Sequence, residues 1–149
     1  MDRTIAAPSE YMFQIHHEIQ IEAPVAGVWA AVLEQVGPGG TFPDGKSMQL
    51  KLEAWPGGRW YRDLGNNAGH LWGHVQVIKP PMLLEITGPM MMSYAVISHV
   101  QYRLTEKAGG GTVLSLTHRA MGEVSPEHRE GMPKGWKYIL EQIKIKSTK

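Results

Sequence analysis

Residues 13–36 read FQIHHEIQIEAPVAGVWAAVLEQV, and two periodicities meet inside them. From Phe13 to Glu22 the positions Phe13, Ile15, His17, Ile19 and Ile21 alternate with Gln14, His16, Glu18, Gln20 and Glu22. A period of two marks a strand with one buried face and one face in water. Beyond it, Pro24 suits a first helical position because its missing N–H would have no partner there. Val25, Val28, Trp29, Val32, Leu33 and Val36 then recur at helical spacing, and Gly37-Pro38-Gly39-Gly40 ends the stripe.

From Met48 onward the chain reads as consecutive strands. Met48 to Trp55 and Arg59 to Leu64 flank the turn Pro56-Gly57-Gly58, and Gly65-Asn66-Asn67 precedes a strand from His70 to Ile78. Pro80-Pro81 separates that strand from Leu83 to Thr87. Tyr94 to Leu104 and Thr112 to Met121 are joined through Ala108-Gly109-Gly110-Gly111. Strands linked by short turns, with no helix between them, imply antiparallel pairing and an α+β domain of order β-α-β6-α. At the end, Ser125-Pro126-Glu127 reads as N-cap, first position and acidic first turn. Met132, Trp136, Ile139, Leu140 and Ile143 form an apolar helical face, with a break or kink expected at Pro133.

At 149 residues the chain has the length of one domain. We read 1–12 as an N-terminal extension and 13–149 as the domain. Composition is globular, with 42% hydrophobic and 19% charged residues, and the net charge of +1 shows no basic stripe suited to nucleic acid. The absence of cysteine removes disulfides, thiolate metal sites and cysteine nucleophiles, and fits a cytoplasmic setting. MDRTIAAPSEY has no apolar leader segment, and no window is long enough to insert in a membrane. No cofactor motif is present.

Aromatic and methionine side chains carry the argument for a pocket. Trp29, Trp55, Trp60, Trp72 and Trp136, with Met82, Met90, Met91, Met92 and Met132, can build soft apolar walls or plain core. Trp29 lies squarely in a core stripe. The candidate ligand contacts are Trp60, Trp72, Met90, Met92, His118, Met132, Trp136 and Leu140.

Seven histidines raise the question of a metal. His16 and His17 point to opposite faces of one strand, and His70 and His74 lie roughly 13 Å apart at about 3.3 Å per residue. Neither pair can share one ion, so no metal site is expected. His118 falls on the apolar side of its strand with Leu114, Leu116 and Ala120, and at its open end, whereas His99 shares the solvent side with Gln101 and Arg103. For His118 two readings stand: a buried histidine satisfied by a neighbour, or a polar anchor or general base tuned by partial burial. Arg59 beside the WPGGRW turn is either one half of a surface ion pair or a holder of a ligand carboxylate.

Five segments, EIQIEAPVAGVWAAV, WPGGRW, GHVQVIKPPMLLEITGP, TVLSLTHRAMG and GWKYILEQI, fall in an order that resembles the START-like (SRPBCC) superfamily. Within it the chain is most similar to the branch of the C-terminal domain of Aha-type activators of the heat-shock chaperone ATPase. The resemblance implies a helix-grip fold, a curved antiparallel sheet of seven strands around the last helix with a cavity between them. In relatives that cavity takes lipids, sterols, plant hormones or polyketides, and no universal catalytic triad exists to carry across. In the resembled fold the first and last strands are neighbours, which would bring His17 and His118 close together. The stretch Gly37 to Lys46 departs from the family, since it is rich in Gly and Pro where many members form a second short helix.

Three functions are therefore expected to compete. The first is binding of a small apolar or aromatic molecule. The second is an enzyme of polyketide cyclase or hydrolase type using the candidates His118 and His17. The third is a protein-interaction role with a chaperone partner, weakened here because the N-terminal domain of chaperone activators is not seen in the sequence. A homodimer through an edge strand is compatible with the pattern, with no specific signal for it.

Overall fold

A computed structural model describes residues 11–149; the N-terminal extension up to residue 10 lies outside them. The elements run β1 (Met12–Ile21), α1 (Val25–Val36), β2 (Leu50–Leu52), β3 (Arg59–Gly65), β4 (Ala68–Lys79), β5 (Leu83–Gly88), β6 (Val96–Glu106), β7 (Thr112–Gly122) and α2 (Pro126–Ser147). The order β-α-β6-α expected from the sequence is the order found.

All seven strands form one antiparallel sheet in the order β1-β7-β6-β5-β4-β3-β2. Helix α1 therefore carries the chain from one edge strand to the other, and a meander returns it to β7 beside β1. The inward residues of β1, β6 and β7, among them Ile15, Ile21, Val100, Tyr102, Leu104, Leu114 and Leu116, make the core with Val28, Trp29 and Val32 of α1. Helix α2 adds Trp136, Leu140 and Ile143, and packs against α1 and β1. Burying such side chains is worth about 1.5–3 kcal/mol each. The grip is thus tightest at the β1 edge.

The far wing of the sheet is bent. Register shifts interrupt the β3–β4 pairing at Trp60/Tyr61 and Asp63/Gly65, and the β4–β5 pairing between Val75 and Val77. Such bulges increase local twist and swing a strand off its neighbour's line. Gly73 and Gly88 let β4 and β5 approach closely there: a Cβ on Gly88 would lie 2.4 Å from the Gly73 Cα.

Four local expectations are corrected. Pro24 is the N-cap of α1, with extended backbone, one residue outside the helix. The strand expected over Met48 to Trp55 shrinks to Leu50–Leu52, because Gln49 turns the chain with φ 54° and Trp55 already belongs to the next turn. The strand expected from Tyr94 begins at Val96. Finally, α2 runs unbroken through Pro133. Proline in a helix interior costs about 3 kcal/mol, and here Met132 and Trp136, buried on either side of it, hold the helix together. The stretch Gly37 to Lys46 forms no helix, and a bridge from Thr41 to Ser47 closes it as a loop.

Candidate functional site: the cavity between the last helix and the bent wing

Because α2 leans on α1 and β1, a space stays open between its first half and the β2–β4 wing. Its volume is about 550 Å³, within the range of small-molecule sites. Helix α2 supplies Met132, Trp136 and Ile139 at successive turns. Strands β3 and β4 supply Trp60, Arg62, His70 and Trp72, and the loop after α1 supplies Thr41, Phe42, Pro43 and Met48. Tyr138 ties this loop to the helix: its hydroxyl donates to the Phe42 carbonyl at 3.1 Å and lies 3.2 Å from Thr41 Oγ1.

The three tryptophans on the wall are polar only at their indole N–H, and each N–H is already committed. Trp60 donates to the Val36 carbonyl at 2.6 Å, Trp72 to His70 Nδ1 at 3.0 Å, and Trp136 to His118 Nδ1 at 2.9 Å. Trp60 and Trp72 meet edge to face, with ring centroids 5.0 Å apart at 88°. The indoles thus form an apolar, nearly fully buried backing to the cavity, and the part-exposed Phe42, Met48, Met91 and Ile139 face its open space.

Two polar side chains of the wall end in buried atoms without a hydrogen-bond partner among the described residues: Tyr102 Oη and Gln35 Nε2. Gln35 Oε1 accepts from Lys146 Nζ, which leaves the amide NH2 as its free end. Burial pushes the Tyr102 hydroxyl well above its ordinary range, so it is a neutral phenol at any working pH.

Trp60, Trp72, Met132 and Trp136 line this space. Met90, Met92 and Leu140 are buried in the core behind it, and the methionine on the wall beside β5 is Met91. Met90 takes φ 60° and donates its N–H to the Trp72 carbonyl, so Met91 rather than its neighbours reaches the cavity. His118 is fully buried, not placed at an open end: its Nε2–H donates to Ser98 Oγ at 2.8 Å while Nδ1 receives the Trp136 indole. Burial pushes it down to about 4, so it is neutral near pH 7. His17 stands opposite Leu116 while His118 stands opposite Ile15, and no hydrogen bond joins the two imidazoles. Neither histidine lies on the cavity wall.

Other expectations resolve on the outer surface. Arg59 grips Glu53 through both Nε and Nη2, at 2.9 and 2.8 Å, and this pairing holds Glu53 down at about 2. His99 is half-buried and joined to Glu85 at 2.8 Å. Trp55 and Met82 are exposed and stand away from the cavity. The sequence reading missed Phe42, Met48 and Tyr138. Phe42 is one of only two phenylalanines in the chain, and its place in a Gly/Pro-rich loop was the available signal.

Comparison with known proteins agrees with this architecture. The family model described as activator of Hsp90 ATPase homolog 1-like protein matches residues 22–145. The crystal structure of CalU16 from Micromonospora echinospora superposes with TM-score 0.63 at 26% identity, covering 90% of this chain and 75% of that one. An uncharacterized protein from Rhizobium leguminosarum gives TM-score 0.68 at 16% identity, covering 92% and 95%. DynU16, from the dynemicin biosynthetic locus, gives 0.60 at 18%, and there the match covers 88% of this chain and 45% of the other. No significant match is found among curated proteins.

Proposed function

The chain belongs to the family of activator of Hsp90 ATPase homolog 1-like proteins, and on that premise we propose that it is a binding module for a small, largely apolar or aromatic molecule. The observation that carries this reading is the cavity itself. A space of about 550 Å³ bounded by Trp60, Trp72 and Trp136 is faced by the part-exposed apolar side chains of Phe42, Met48, Met91 and Ile139, and a ligand that displaces water from such surface gains roughly 25 cal/mol per Å². Binding without turnover fits the wall chemistry. The neutral imidazole of His118 has both nitrogens engaged and sits behind Trp136, so a general-base role would first require breaking the indole bond.

Thermal unfolding of the full chain against fatty acids, sterols, flavonoids and aromatic acids tests the reading. A ligand at a hundred times its dissociation constant stabilises the native state by about 2.7 kcal/mol, a rise of a few degrees for a domain of this size. A saturable rise confined to one chemical class supports the binding module. No rise with any class removes it and leaves a partner protein as the better reading.

A further inference from the structure

The charged groups on the cavity wall are of one sign. Arg62 and Lys134 line it, the titratable His70 and His128 line it too, and no aspartate or glutamate among the described residues does. Composition does not explain this, because the chain holds 14 acidic residues to 15 Lys and Arg. Outside the cavity three cations pair with carboxylates, Arg59 with Glu53, Lys51 with Asp63 and Lys107 with Glu22, and several other surface cations stand in water. What marks Arg62 and Lys134 is their place on the cavity wall. Arg62 donates from Nε to the Met48 carbonyl at 2.8 Å and stacks 5.5 Å from the centre of the Phe42 ring. That bond fixes the guanidinium on the sheet wall while leaving both Nη groups without a partner among the described residues. Lys134 stands exposed on the helix wall and has no ion pair among the described residues.

Helix α2 is also cut away at this rim. Gly131 and Gly135 line the cavity one turn apart, flanking Lys134 in sequence, and a Cβ on either would meet nothing within 4 Å. Packing does not demand glycine at either position. Their effect is to leave a notch beside the lysine through which a head group can reach it.

Resting on the binding reading above, we propose that the occupant is an aromatic organic anion: its ring system lies among Phe42, Met48, Met91 and Ile139 over the buried indoles, and its carboxylate sits between Arg62 and Lys134. A guanidinium with two free Nη donors is shaped to receive a carboxylate. A half-enclosed site strengthens the attraction beyond that of a surface pair.

The test uses three probes that share one ring system: anthracene-9-carboxylate, anthracene-9-carboxamide and 9-anthracenemethanol. They are titrated calorimetrically into the full chain at pH 7 in low salt. The carboxylate is expected to bind at least tenfold tighter than either neutral probe, and to weaken in 0.5 M salt while they do not. Arg62→Gln combined with Lys134→Gln should abolish the preference, so that carboxylate and carboxamide bind this variant with equal affinity. Lys134→Gln alone, on an exposed helix surface, should cost the carboxylate about threefold and guards against misfolding of the double variant. Equal binding of all three probes overturns the anion assignment and leaves the cavity reading intact. Absence of binding by all three, together with a flat thermal screen, overturns both.

Discussion

The indole N–H of Trp136 on α2 donates to Nδ1 of His118 on β7 at 2.9 Å, and both side chains are buried. One hydrogen bond thus joins the gripping helix to β7, the strand beside the β1 edge, and fixes the tautomer of the histidine. The same tryptophan backs the cavity, so the lock and the ligand wall are one side chain.

Acid should open this lock. Burial holds His118 at about 4 in the folded chain, whereas the unfolded chain takes up the proton near 6.5. The unfolded state therefore binds more protons between those values. Stability is unaffected above about pH 6.5 and falls as pH drops toward 4, by up to about 1.4 kcal/mol per pH unit. Urea unfolding at pH 7, 6, 5 and 4.5 should show that loss, and His118→Gln should flatten it. Parallel pH profiles for the two proteins would discard the explanation.

Trp136→Phe removes the indole donor and leaves Nδ1 of His118 buried and unpaired. An orphaned buried acceptor costs about 1–3 kcal/mol, to which the smaller ring adds a packing loss. The histidine should also titrate closer to its ordinary value, because protonating Nδ1 no longer displaces a donor. Chemical denaturation reads the first effect and NMR titration of the imidazole the second. An unshifted titration would show that burial alone, without the indole, sets this histidine.

Tyr102→Phe should run the other way. The hydroxyl is buried with no partner among the described residues, so the native state carries its desolvation cost of about 1–3 kcal/mol uncompensated. Removing it should leave stability equal or raise it by about 1 kcal/mol. A clear loss of stability would reveal a partner for the oxygen, such as an ordered water.

Gly131→Ala and Gly135→Ala should each stabilise the chain by about 0.5–1 kcal/mol, since both positions are helical and open to a Cβ. Thermal melts of the two single variants and the pair check this, with additivity expected only if the sites do not share a contact. Destabilisation by either would mean that the helix backbone at the cavity rim is held closer to its neighbours than the geometry indicates.

Much of this molecule is legible in one dimension. Alternation in Phe13 to Glu22 places His17 on the inward side, and the same logic in Thr112 to Met121 places His118 inward. Both follow from the two-residue period of a strand, which is local. The pattern could not show that Met91 rather than Met90 or Met92 would reach the cavity, because a left-handed residue at Met90 resets which side chains face the wall. Nor could it show that Pro133 would be tolerated, since the compensation comes from burial of Met132 and Trp136 against distant elements.

By itself the sequence determined the order of elements, the antiparallel character of the sheet and the two helical apolar faces, because periodicity and turn chemistry act over a few residues. Only the tertiary structure decided that three indole N–H groups would be consumed by protein acceptors, that the cations Arg62 and Lys134 would share one cavity wall with no carboxylate among the described residues, and that His118 would be neutral. Those outcomes depend on which residues far apart in the chain come within hydrogen-bonding distance, and on how much water is excluded when they do.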